Sequence, residues 1–261
     1  MYIVYSLADP VSKAIADALR ESFGFEEGGQ FNGMRLFKCE KANLLELEET
    51  HLHADFLDEL HTDLIIILSR HSSAKGVPSF TVHPMGNWNE EAKLGGKPKQ
   101  LAVAAPIGML NCLAAMKNRN KTQVPVTYEA THHGPLLMTP AFYAEIGGDE
   151  RTKTSKEAAR FLAESVFESL DIEAPYKKIA FGIGGLHYED RFAKRALEGE
   201  YAFGHMISKH HVENVDMLQQ AMERSLPRPD VAVIDWKSIA AQEREAVIKK
   251  LDELGMDYVK I

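Results

Sequence analysis

Short apolar runs and longer amphipathic stretches alternate along this chain from end to end. Tyr2 to Ser6 reads as a strand. Asp9 then stands as an N-cap with Pro10 at the first helical position, predicting a helix to about Phe23. Gly24 to Gly33 reads as a polar loop, and Met34 to Cys39 alternates like a strand. The run Leu64-Ile65-Ile66-Ile67-Leu68 is apolar enough for a central strand buried on both faces. Further strands are predicted at Ser79–His83, Leu101–Ala104, Val124–Ala130, Ala141–Ile146, Lys178–Ile183, Tyr201–Phe203, Asp230–Asp235 and Met256–Ile261. Helices are predicted from Pro106, over Ser155–Leu170 and about Arg191–Leu197, from Asn214 to about Leu226, and from Ser238 to Gly255. Alternation of this kind predicts a three-layer α/β/α fold with a mostly parallel or mixed central sheet. No repeat or linker divides the chain, so residues 1–261 are expected to form one domain.

Composition narrows the function. With 261 residues, 45% of them hydrophobic, the chain can bury a large core. The two cysteines, Cys39 and Cys112, are far apart and form no Cys-x-x-Cys, which argues against disulfides and thiolate zinc and for a reducing cytoplasm. No run reaches the ~18 apolar residues of a membrane span. The start, Met1-Tyr2-Ile3-Val4-Tyr5, reads as a strand and not a signal peptide. A net charge of −8 argues against blanket attraction to nucleic acid, though not against a local basic patch. Two loose basic clusters, Lys93/Lys97/Lys99 and Lys117/Arg119/Lys121, read as solvated loops.

The chemistry concentrates in histidines. His71, His83, His132, His133, His187 and His205 all fall in or just beyond predicted strands. In an open α/β sheet the strand ends form the ligand crevice. Thr131-His132-His133-Gly134-Pro135 is the sharpest segment, since neighbours on an extended chain point to opposite sides. Ser69-Arg70-His71-Ser72-Ser73 leaves the most apolar strand, with Arg70 placed to hold an anionic group. His83-Pro84-Met85-Gly86-Asn87-Trp88 adds an imidazole and an indole able to stack on a base. Gly182-Ile183-Gly184-Gly185-Leu186-His187-Tyr188 is a glycine turn that exposes amides and presents His187. Its spacing is not the dinucleotide fingerprint. Gly204-His205 is followed by Lys209, a candidate partner for a phosphate or an oxyanion. Glu145 closes an apolar strand, where a carboxylate needs a metal or a histidine; Glu129 is a weaker case of the same kind. His51, His53 and His61 lie in a charged helical region and read as surface residues.

These stretches, with Ala144-Glu145-Ile146-Gly147, resemble the archaeal-type D-aminoacyl-tRNA deacylases, a family also found in plants. They occur in one order over most of the chain. Gly148 stands where the family pattern has serine, and Ser208-Lys209 where it has proline-lysine. The resemblance implies hydrolysis of the ester joining a D-amino acid to the 3′ end of tRNA. It also implies a phosphorylase- or hydrolase-like fold, zinc dependence, with one or two ions, and D-aminoacyl-tRNA as the partner. No Gly-x-Ser-x-Gly elbow signals a covalent nucleophile, so activated water fits the chemistry. Placement puts His83, His132, Glu145 and His205 forward as metal ligands. His133, His187, Glu145 and Lys209 are the catalytic candidates, and Arg70, His71, Trp88, Gly184 and Gly185 the substrate-binding ones. Two other readings use the same residues: a zinc amidohydrolase or exopeptidase, and a nucleoside- or phosphate-binding module without hydrolysis. A monomer is the default expectation.

Overall fold

The computed structural model describes residues 1–72 and 76–261. Ser73, the last residue of the Ser69–Ser73 motif, lies outside the described residues. Among the described residues fourteen strands form: β1 (Tyr2–Ser6), β2 (Glu26–Phe31), β3 (Met34–Lys38), β4 (Asn43–Leu47), β5 (Ile65–His71), β6 (Ser79–His83), β7 (Gly86–Asn87), β8 (Gln100–Leu101), β9 (Val126–Tyr128), β10 (Ala141–Gly147), β11 (Lys178–Ile183), β12 (Tyr201–Ile207), β13 (Val231–Ile234) and β14 (Tyr258–Lys260). The helices are α1 (Pro10–Phe23), α2 (Pro106–Arg119), α3 (Glu150–Lys153), α4 (Lys156–Glu168), α5 (Asp190–Leu197), α6 (Leu218–Glu223) and α7 (Ala241–Glu253). Among the described residues no helix is long and apolar enough to cross a membrane.

The expected α/β architecture with a large mixed sheet flanked by helices is present, but the strands divide between two main sheets. One is eight-stranded, in the order β2-β3-β4-β1-β5-β10-β6-β9. Its centre, β4-β1-β5-β10, is parallel, and β6 runs antiparallel to β10. The other is four-stranded and parallel, in the order β12-β11-β13-β14. β7 and β8 pair as a small separate ribbon.

Local chemistry explains the boundaries. Asp9 caps α1 by accepting from the Val11 amide, and Gly24 closes it at φ 63°. Ser155 caps α4 through the Ala158 amide. The predicted loop at 24–33 is instead the β2 strand, turned into β3 through Asn32 and Gly33 at φ 49° and 83°. The acidic strand β4 escaped the hydrophobic pattern because Glu46 is nearly buried, held by the Tyr5 hydroxyl and near Arg35. Ser238 does not cap α7; its hydroxyl donates to Asp235 O and accepts the Gly185 amide.

Period-2 alternation sorts the eight-stranded sheet into two faces. Ile66, Leu68, Phe80, Val82, Tyr128, Phe142, Ala144 and Ile146 join one apolar core with α1, α2 and α4. The opposite face carries Ile65, Ile67, Ala141 and Tyr143, and is covered by the short 3-10 turns at residues 51–60 instead of long helices. On that second face, towards one end, the apolar residues give way to ionisable ones.

Candidate functional site: a histidine–carboxylate cluster on one sheet face

Glu145 follows Tyr143 by two residues and pairs in register with Ser69 on β5 and Thr81 on β6. His71 and His83 sit two residues beyond those partners, so all four positions share one face. Thr127 pairs with Thr81, which puts Glu129, two residues on, beside His83. The site is therefore built on the face of the sheet and on the segments that follow β9 and β11. Gly147 leaves the space this needs: a Cβ there would lie 2.3 Å from Ser79 Oγ and 3.3 Å from the His71 ring.

Glu129 is the hub and is fully buried. Its Oε2 lies 3.0 Å from His71 Nδ1, 3.0 Å from His187 Nε2 and 3.6 Å from His132 Nε2. Glu145 Oε2 lies 3.5 Å from His71 Nδ1 and 3.6 Å from His83 Nε2. Burial alone would raise the pKa of either carboxyl. Contacts with His187 and His71 pull Glu129 well below the usual carboxylate range, and contacts with His71 and His83 bring Glu145 down to about 2. For His71 burial opposes the charge, but the two carboxylates outweigh it and raise its pKa to about 10. His71 is thus an imidazolium clamped between two carboxylates. Burial, reinforced by the charge on His83, keeps His132 and His133 neutral, His133 at about 4.

Three rings are tethered alike. His83, His132 and His133 each point Nδ1 at a backbone carbonyl, of Pro84 (3.1 Å), Ala130 (2.8 Å) and Gly134 (2.7 Å). An N–H donated from Nδ1 leaves Nε2 as the lone-pair nitrogen in neutral His132 and His133, and in His83 when it gives up its Nε2 proton, the arrangement that orients metal-binding histidines. Ligand atoms of these three lie within 4.8 Å of one another, as do those of His71, Glu129, His132 and His187, and those of His83, Glu129 and Glu145. Nε2 of His71 and of His83 and both Glu129 oxygens are buried without an aligned hydrogen-bond partner among the described residues. The contacts to Glu129 are short but misdirected for hydrogen bonds. Buried polar atoms left so are costly; a shared cation would satisfy the carboxylate oxygens, and imidazole and carboxylate donors suit zinc among other divalent ions.

His187 forms the rim. It follows β11 and its side chain is 45% exposed, the most open of the cluster. The Tyr188 ring packs 5.5 Å from the His71 ring. His133 takes φ 43°, a left-handed conformation that is strained for a non-glycine residue.

The structure thus brings together His71, His83, His132, His133, Glu145 and His187 from the sequence-predicted set, and adds Glu129 at its centre. It does not bring in the others. His205 lies within β12, fully buried, its Nδ1 3.1 Å from Thr131 Oγ1 and its Nε2 2.9 Å from Ala102 O and 3.1 Å from Arg224 O. Both ring nitrogens are spent on protein partners, so it has no free donor for a metal. Trp88 is 3% exposed and donates Nε1–H to Thr131 O at 3.0 Å; it is core and cannot stack on a base. The amides of Gly184 and Gly185 already donate to Ile207 O and Ser238 Oγ, so this turn holds no anion with them. Arg70 alternates to the face opposite His71 and is exposed. Lys209 flanks the glycine turn, its amide donating to Gly185 O at 3.1 Å. Of the basic clusters, Lys93 and Lys99 pair with Glu91 and Glu90, and Arg119 pairs with Glu164 and Glu168.

His51 was missed. Expected at the surface, it is buried, with Nδ1 3.0 Å from the Tyr143 hydroxyl and Nε2 3.7 Å from Asp9 Oδ2. No periodic signal marks it, because it sits in a single 3-10 turn.

These features define an α/β protein with a buried histidine–carboxylate centre of the kind that serves acid–base or metal-assisted chemistry. Comparison with known proteins narrows the class. A sequence model of the D-aminoacyl-tRNA deacylases matches residues 58–259. The chain is 39% identical to a D-aminoacyl-tRNA deacylase of Ignicoccus hospitalis, covering 99% of this chain and 98% of that one. It is 34% identical to one of Pyrococcus furiosus, with the same two coverages. A crystal structure of a conserved protein of unknown function superposes with a TM-score of 0.90 at 30% identity, covering 99% of this chain and 94% of that one. The chain belongs to the D-aminoacyl-tRNA deacylase family.

Proposed function

We propose that this chain hydrolyses the ester between a D-amino acid and the 3′ end of tRNA, at the cluster centred on Glu129. The names of its relatives support the reaction. The observation that carries the site is the convergence, on one sheet face, of neutral imidazoles and ionised carboxylates with buried lone pairs lacking partners. His83, His132 and His133, with Glu145 or Glu129, would hold a divalent cation, and zinc suits the imidazole-rich donor set. When bound, such an ion supplies Lewis acidity toward the ester carbonyl and the attacking water.

The protein's own groups then divide the work. His187 turns Nε2 toward Glu129, which leaves Nδ1 as the nitrogen free to face substrate. It takes a proton from water as the water oxygen bonds to the ester carbonyl carbon. The bond from that carbon to the ribose oxygen breaks, and the proton passes to the ribose hydroxyl that leaves. Glu129 holds the ring in one tautomer and stabilises its charged form. Lys209, beside the same turn, would meet the terminal ribose-phosphate. The negative net charge fits a grip on the acceptor end with few phosphate contacts.

The test is a deacylation assay with matched D- and L-aminoacyl-tRNA, with and without a chelator, alongside metal analysis of the purified protein. Release of the D-amino acid, lost on chelation and restored by zinc, is expected. No release from D-aminoacyl-tRNA would overturn the function. Full release by verified metal-free protein would overturn the metal.

A further inference from the structure

Asp9, His51 and Tyr143 form a buried chain that ends on two sides of the cluster without belonging to it. Asp9 Oδ1 accepts the Val11 amide, and Oδ2 accepts the amide of Arg70, the residue before His71, at 3.0 Å. His51 Nε2 faces that same Oδ2 at 3.7 Å. His51 Nδ1 lies 3.0 Å from the Tyr143 hydroxyl, and the hydroxyl donates to Gly134 O at 3.1 Å. Gly134 O is also the acceptor that tethers His133 Nδ1. The Tyr143 ring stacks on His83, 5.0 Å between centroids and 10° between planes. The turn bearing His51 presses on the same place: a Cβ on Gly134 would lie 2.6 Å from Leu52 O.

A tyrosine hydroxyl has one hydrogen. Given to Gly134 O, it leaves the Tyr143 oxygen to accept from His51, which then carries a hydrogen on Nδ1. All of these groups are buried, where such chains are rigid when complete and costly when broken.

We infer that His51 is the positioning residue of this centre. Resting on the function proposed above, it acts through Tyr143 on the His133–Gly134 turn and on His83, and through Asp9 on the strand end carrying His71. Asp9 anchors one arm: burial would raise its pKa, but the nearby His51 ring and the hydrogen bonds from the Arg70 and Val11 amides hold it below the usual carboxylate range. His51 itself touches neither substrate nor reacting atoms.

The test compares His51→Ala, His51→Asn and Tyr143→Phe with the parent protein. An asparagine amide places a donor near Nδ1, so it restores the Tyr143 arm alone. His51→Ala is expected to lower kcat by roughly 10- to 100-fold, the usual effect of removing a group that orients site residues, with KM unchanged. His51→Asn should recover part of that loss. In the parent, long-range nitrogen-proton NMR should show the His51 ring protonated at Nδ1, and Tyr143→Phe should move that signal. Unchanged kcat in a folded His51→Ala protein, or a ring lacking the Nδ1 proton, overturns the positioning role. If His132→Ala also keeps full turnover, the site itself is wrong; if only His51→Ala does, the site stands and the relay falls.

Discussion

Glu129→Gln is the most searching perturbation of this centre, because it removes one charge and almost no volume. Glu129 Oε2 approaches three imidazoles, and two of those approaches are 3.0 Å. The glutamine keeps one acceptor oxygen. Both close pairings converge on the one Oε2 atom and therefore change together. With the amide oxygen in that place both weaken from charge-assisted to neutral; with the amide nitrogen there both are abolished. Catalytic contacts that are misaligned in the free protein tighten when substrate binds, and a hydrogen bond to a charged group is then worth about 1.5–3 kcal/mol. Lost from the pairing that orients His187, that energy comes off the transition state, and kcat falls roughly 10- to 150-fold. The fold should survive, since the side-chain shape is preserved. The assay is single-turnover deacylation of one D-aminoacyl-tRNA at saturating enzyme, with circular dichroism as the fold control. A folded Glu129→Gln protein with the parent's single-turnover rate would refute the hub role of this carboxylate and with it the Glu129–His187 pair.

Stability of the chelated protein should depend on pH in a defined way. The His71 pKa is raised from 6.5 to about 10, so its contribution is full below pH 6.5 and is lost as pH rises through 10. The Glu145 pKa is lowered from 4.5 to about 2, so its contribution is full above pH 4.5 and is lost as pH falls through 2. Thermal melts should thus show an alkaline loss that His71→Ala flattens; an identical alkaline limb in that variant contradicts the clamp. His205→Ala should cost roughly 2–4 kcal/mol, because it strands the Thr131 hydroxyl and the buried Ala102 carbonyl. It should leave metal content unchanged, whereas His132→Ala should abolish turnover with the fold largely intact; denaturant titration and metal analysis separate the two. Affinity for tRNA should fall gently with salt, since the slope tracks the phosphates neutralised; a steep slope in filter binding would show a wider basic contact than the net charge of −8 suggests.

Much of the fold was legible because hydrophobic period and caps act locally. β6 and β11 match their predicted ends, and α1, α2 and α4 start at the Asp9–Pro10, Pro106 and Ser155 signals. Division into two sheets was not legible, because strand pairing is set by tertiary contact. The site was half legible. Alternation in Ser79-Phe80-Thr81-Val82-His83 and in Tyr143-Ala144-Glu145-Ile146-Gly147 already places His83 and Glu145 on a face away from the apolar core. The same period applied to Thr127-Tyr128-Glu129 would have ranked Glu129 beside Glu145 instead of below it. Trp88 and His205 went wrong for another reason. Residue type alone does not say whether a ring's nitrogens are already spent, and here Thr131 and the carbonyls of Ala102 and Arg224 spend them.

Those two misplaced residues explain how the centre is held together. Glu129 to His133 leaves the edge strand of the large sheet and crosses to the small one. The Glu129 amide still bonds Val82 O in the large sheet, while the Ala130 amide bonds His187 O and the Thr131 amide bonds Met206 O. Trp88 then takes Thr131 O, and His205 pairs with the Thr131 hydroxyl, which in turn accepts the Met206 amide. Each polar group of Thr131 is thus claimed by the small sheet or by Trp88, one residue before His132. His71, His83 and Glu145 come from the large sheet, and His187 comes from the small one. Glu129 can reach both sets only because the crossing segment is fixed on each side. The buried, neutral His205 is therefore best read as the lock on that crossing, which is why an imidazole stands in β12, apart from the cluster it supports.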